Sequence, residues 1–173
     1  MSARSEIVAR ARALSGMNLG ARAGRLARRL EPTATLSFED VAAAPDWILW
    51  PEVARRDLAR AAGVAACASR LRRTIDGRAL RIFAEAVGAD RLDALLAAPA
   101  LDGEAAGALP HDVETLSALG AAALRSEASD RPDLARRLAA LLPASTETLD
   151  PATARAACAQ ARQWIAMNGE ARP

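Results

Sequence analysis

Few residues in this chain have types and spacing suited to chemistry. His111 is the only histidine. Asp112 follows it, but a His-Asp pair can serve a hydrolytic metal centre only when further imidazoles complete the ligand set. A triad of the Ser-His-Asp or Cys-His kind would also have to be built around that one side chain. Lying between Pro110 and Asp112, His111 reads as an exposed turn residue at a helix start. Carboxylate pairs occur at Glu39-Asp40 and at Asp90 with Asp93. Both sit at expected helix starts, where acids accept from free N–H groups and offset the helix dipole. The sequence holds no Cys-x-x-Cys pair, no phosphate-binding loop and no Gly-x-Gly-x-x-Gly, so the common redox, nucleotide and dinucleotide signatures are missing. The expectation is a protein with no catalytic, cofactor-binding or metal-ligating residues, no cofactor and no small-molecule substrate, and hence not an enzyme.

The elements that would position functional groups are helices. Alanine makes up about a quarter of the chain, and Ala, Leu and Arg all have high helix propensity. Tyr is absent and aromatics are 3%, too little aromatic and β-branched content to populate strands. The composition predicts an all-α fold, an irregular bundle of about seven helices with little or no β-sheet. All 23 basic residues are arginine, the bias of a GC-rich genome, so little is read into individual arginines. The formal charge is +2, which gives no whole-chain case for a polyanion, and nucleic acid is not an expected partner. Charge is unevenly distributed, however: Met1 to Leu30 carries seven arginines against one acid, Glu6. Those arginines interrupt every apolar stretch a secretory signal would need. The longest charge-free run, Thr115 to Leu124, is about half the length of a membrane-spanning helix. Cys67 and Cys158 lie far apart among small apolar residues and read as buried, reduced thiols.

Residues 1–30 are expected to form a basic helical N-terminal segment, with helices near 5–14 and 19–30, and residues 31–173 a single α-helical domain. Residues 33–51 read as irregular, with a short turn holding Phe38 and Val41, and they contain the apolar run Trp47-Ile48-Leu49-Trp50. From Pro51 a long helix runs to about Ile75, with Val64, Cys67, Ala68 and Leu71 on one face. A helix near 78–87 follows, ended by Gly88, then a short one capped by Asp90 and closed by Pro99. The Gly- and Ala-rich residues 100–110 read as a loop. Three further helices are expected: one from Asp112, one capped by Asp130 with Pro132 in its first turn, and one opened by Asp150-Pro151.

Two segments invite a functional reading. Asp57 to Val64, with Gly63 as the turn glycine, has the outline of a helix-turn-helix, and Arg70, Arg72 and Arg73 would then lie on a recognition helix. A second helix there would need a capping residue, but Ala65-Ala66 follow Gly63-Val64, so one uninterrupted helix is the better reading. A DNA-binding regulator using 57–73 remains the alternative function. Trp47 and Trp50 suit either core anchors or a partner-binding hot spot.

The stretch from Leu58 to Leu96 resembles a known family. Gly63-Val64, Leu71-Arg72-Arg73, Ile75, Gly77-Arg78, Leu80, Val87-Gly88, Leu92 and Leu95-Leu96 are similar to the central segment of the SctK family, accessory proteins of the type III secretion sorting platform. Met17-Asn18-Leu19 and the tryptophan before the long helix are weaker echoes of it. Two features depart from the family pattern: its Leu-Gly-Leu is Ala62-Gly63-Val64 here, and aromatic and histidine residues are missing near the start. The resemblance implies a non-enzymatic adaptor that links the inner-membrane ring to the cytoplasmic pod protein. Such a protein would be cytoplasmic, held at the membrane's inner face only through protein partners. Trp47, Trp50, Arg70, Arg72 and Arg73 are the candidate partner-binding residues.

Overall fold

The computed structural model describes residues 19–29, 38–74, 76–97 and 108–167. The helix expected near 5–14, Ile75 and most of the expected loop at 100–110 lie outside those residues. The chain forms two compact units, Met1–Leu49 and Trp50–Pro173. Within the first unit the helix of the basic segment packs against the short elements that follow it.

The first unit holds α1 (Leu19–Arg29), α2 (Phe38–Ala43) and a 3-10 turn (Asp46–Leu49). Glu39 and Asp40 stand in the first turn of α2, where carboxylates offset the helix dipole. α1 packs against both α2 and the turn, and Leu26, Val41, Trp47 and Ile48 are buried.

The second unit comprises α3 (Glu52–Leu71), α4 (Gly77–Val87), α5 (Ala89–Ala97), α6 (Val113–Ser126), α7 (Pro132–Ala139) and α8 (Pro151–Met167). No strand occurs among the described residues, and the fold is all-α. α3 is the axis, packed against α4, α5, α6 and α8. Leu58, Ala59 and every residue from 61 to 68 are buried, so the single apolar face read from the sequence widens to the whole circumference. A helix surrounded in this way cannot keep a polar side. Its middle is accordingly made of Ala, Gly, Val and Cys, small enough for several neighbours to approach.

The closest approach is between α3 and α6. A Cβ on Gly120 would lie 1.7 Å from the Ala59 carbonyl oxygen, and one on Gly63 would lie 2.3 Å from that of Leu116. The obstacle at both glycines is backbone, which cannot rotate away as a side chain can. Gly63 is thus not a turn residue: α3 runs through it unbroken, and its missing side chain is what admits α6. Leu116, Gly120 and Leu124 of α6 are buried, while Val113 in its first turn is half-buried, and Ala154, Cys158, Ala161 and Ile165 of α8 close the other side of the core.

The helix ends differ from expectation in three places. α3 stops at Leu71, four residues before Ile75, as the N–H groups of Arg73 and Thr74 turn back to the carbonyls of Arg70 and Leu71. Asp90 lies inside the first turn of α5, and the carbonyl of Gly88, a residue at φ 89°, accepts from the Leu92 N–H. Such a φ suits glycine because it lacks a Cβ. Asp130 does not cap α7; Arg131 precedes the helix without a side-chain cap, and Pro132 removes one N–H that would otherwise need a partner.

Gly120→Ala is expected to destabilise the protein by about 2–4 kcal/mol in urea unfolding, because overpacking against a rigid backbone exceeds the helix-propensity gain. Gly24→Ala, on α1 with nothing within 4 Å of the new methyl, is expected to stabilise by about 0.5–1 kcal/mol.

Candidate functional site

The predicted binding residues divide according to their surroundings. Trp47 is 0% exposed and belongs to the packing of the first unit; it offers no surface to a partner. Trp50 is half-buried at the start of the second unit. Its carbonyl accepts from Arg55 Nη1 at 2.6 Å, so a buried guanidinium fixes the chain where it enters α3. Arg72 reaches from the end of α3 to the end of α5, donating Nε to the Leu96 carbonyl at 2.8 Å and Nη2 to the Leu95 carbonyl at 3.5 Å. Carbonyls in a helix's last turn lack intrahelical partners and carry partial negative charge, so a cation there is favoured. Arg72 is thus a tie between helices. Arg73 is exposed.

Arg70 faces a different neighbourhood, one the sequence did not reveal. It lines a hollow of about 350 Å³ with Leu109, Pro110, His111, Thr115 and Glu147. Each wall is held by local chemistry. Asp112 caps α6 by accepting the Thr115 N–H at 2.6 Å, which sets the turn carrying His111, and His111 Nε2 lies 3.1 Å from Asp112 Oδ2. The wall bearing Glu147 is held by Arg125, whose Nη2 donates to the Ser145 carbonyl at 3.0 Å, and by the Ser145 hydroxyl, which accepts the Glu147 N–H at 3.0 Å. Asp150 then caps α8, accepting from the Ala152 and Thr153 N–H groups and from the Thr153 hydroxyl. Arg70 and His111 are far apart in sequence and meet only because α3 and α6 cross, so no local spacing could have signalled the hollow. A second hollow beside it is lined by Arg78, Ile82, Glu85, His111, Asp112 and Glu114. The side chain of His111 is 82% exposed, in keeping with the turn residue expected there. An arginine, a histidine and a glutamate around an apolar rim can take both charges of a polar partner surface.

The remaining ionisable cluster is internal. Glu127 and Arg162 pair between the end of α6 and α8, and Cys158 is buried beside them. Burial pushes the Cys158 thiol up from its ordinary value, and the negative charge of Glu127, to which the thiol also hydrogen-bonds, pushes it further, against a smaller opposing effect of Arg162. A thiol raised in this way is not a nucleophile near neutrality. Cys67 is buried as well, and neither cysteine is in a disulfide. Among the described residues, no group of three or more His, Cys, Asp or Glu is placed to hold a metal ion, and no helix is long and apolar enough to cross a membrane. Comparison with family models, curated proteins and solved structures gives no match to this chain.

Native protein is expected to leave both cysteines unmodified by a thiol reagent at neutral pH, with both reacting in denaturant; fast labelling of either in the folded state would contradict their burial. The two caps predict an acid dependence. Hydrogen bonds from the Thr115 and Thr153 N–H groups hold the Asp112 and Asp150 carboxyls below the usual value of 3.8. Their stabilising effect is complete above that value and is lost as pH falls through the lower folded values. Asp112→Asn with Asp150→Asn keeps the capping oxygens but removes the titration, so the fall in stability below about pH 4 should be shallower than in the parent chain.

Proposed function

We propose that this chain is a protein-binding adaptor whose shape, and not any bond-making chemistry, is its function. In its sharpest form it is the accessory subunit of a type III secretion sorting platform, cytoplasmic and linking the inner-membrane ring to the pod protein. The observation that carries the reading is the use made of the polar groups. Asp76, Asp112 and Asp150 cap helices. Arg55, Arg72 and Arg125 hold backbone carbonyls of other segments, and Glu127 pairs with Arg162. These are the interactions of a frame that keeps surfaces in register. The resemblance between Leu58 and Leu96 supports the sharper form, since that stretch covers α3, α4 and α5, which pack on one another. Arg73, exposed beyond α3, and the rim of the Arg70–His111–Glu147 hollow are the surfaces assigned to partners, with Trp50 beside the start of α3.

Coexpression with the cytoplasmic domain of a membrane-ring protein and with a pod protein tests this. A complex of all three that survives size-exclusion chromatography is expected. Arg73→Glu should weaken capture at least tenfold while leaving the helical circular dichroism unchanged, as expected where an exposed contact residue is lost. Failure to form any complex at micromolar concentrations would count against the reading.

A further inference from the structure

α4 packs against α6, and a hollow of about 480 Å³ is lined by residues of both, the second of the two hollows described above. Each helix contributes a glutamate to it, Glu85 from α4 and Glu114 from α6, and Asp112 adds a third carboxylate. One guanidinium, that of Arg78, shares the lining with them and with His111. Glu85 and Glu114 are exposed, and neither carboxylate forms an ion pair among the described residues. An adjoining hollow shares Arg78, Ile82 and His111 with this one and adds Asp76, Leu109 and Pro110.

Two of these carboxylates serve the fold. Asp112 caps α6, and Glu114 stands in that helix's first turn, where the dipole favours negative charge. Glu85 has no such use. It lies in the last turn of α4, which ends at Val87, where the helix's own partial charge is negative and an acid without a cationic partner lowers stability. A cation entering the hollow would relieve that repulsion and meet Glu114 as well. Among the described residues no group of three or more His, Cys, Asp or Glu is placed to hold a metal ion, so the geometry suits a cation carried on a larger group. Half-buried Ile82 and Val113 line the same hollow, and the stem of a long cationic side chain lies well along apolar surface while its head stays with opposite charge.

We propose that the hollow lined by α4 and α6 receives an arginine side chain of a partner protein, its stem on Ile82 and Val113 and its charge against Glu85 and Glu114. Arginine's planar fork of donors can serve two carboxylates at once, which the compact ammonium of lysine does less well. This surface is separate from Arg73 and from the Arg70–His111–Glu147 hollow, and it names the partner chemistry that a second contact of an adaptor would use.

Fluorescence anisotropy of a short labelled peptide of alternating leucine and arginine, blocked at both ends and titrated with the full chain at low salt, tests this directly. The same peptide with citrulline for arginine keeps the shape without the charge and should bind about tenfold more weakly. E85Q/E114Q should lose about tenfold in affinity for the arginine peptide, while E85Q alone is at least as stable as the parent chain in urea unfolding, because the charge it removes opposes the dipole of α4. R78Q removes the competing guanidinium and should tighten binding by about threefold, a gain that misfolding cannot produce. D90N/D93N neutralises two exposed acids of α5, the same change in charge, and should alter affinity by less than about twofold. No binding of the arginine peptide, equal binding of the citrulline peptide, equal losses from the two neutralised pairs, or weaker binding by R78Q would overturn the proposal. Neither a ring nor a pod protein enters this assay, so its failure would leave the result of the coexpression experiment standing.

Discussion

The second unit depends on the contact of two backbones, α3 at Ala59 and Gly63 with α6 at Leu116 and Gly120. Helices whose contact residues carry large side chains keep their axes about 8–10 Å apart, and smaller residues allow them closer. Here two glycines remove the last obstacle. Closeness brings many dispersion contacts, each small and together substantial. It also makes the pairing selective, because a slip in register would set a Cβ against a carbonyl oxygen. The cost is that glycine in a helix interior is worth about 1 kcal/mol less than alanine, which the packing must offset at both positions.

The polar residues follow from that choice. An alanine-rich core supplies less apolar area per residue than one of Leu and Phe, so the ends of the helices and the connections between them must be held by other means. Asp76, Asp112 and Asp150 satisfy N–H groups at the starts of α4, α6 and α8. Arg72 holds the end of α5, and Arg125 the segment before α8. Arg91 lies over the ring of Trp164, 5.4 Å from its centroid, adding a cation–π contact between α5 and α8. Arginine is suited to these tasks because a long stem can lie along apolar surface while the guanidinium reaches a distant carbonyl. The resulting frame fixes Arg70, His111 and Glu147 around one hollow, although their elements are separated along the chain.

Much of the fold was legible because helical spacing and its punctuation are local signals. The inward positions of α8, Ala154, Cys158, Ala161 and Ile165, follow from spacings of three and four, and Asp112 and Asp150 were readable as marking helix starts, though not as the residues that cap them. The reach of Arg72 to Leu96 was not legible, since it joins residues of two different helices. Gly63 was ambiguous for a physical reason. Glycine serves both tight turns and close helix crossings, and only the position of α6 distinguishes the two. The burial of Trp47 was one of two readings the sequence left open. The hollow at His111 had no signal at all, because Arg70, His111 and Glu147 share no element.

Native-state amide hydrogen exchange tests the central place of the α3–α6 contact most directly. If that contact holds the second unit together, the amides from Ala59 to Ala68 and from Leu116 to Leu124 should be the slowest in the protein. They should exchange with one common free energy equal to that of global unfolding. If either segment exchanges by local opening, well below the global value and independently of the other, the two backbones do not act as one support and the account is wrong.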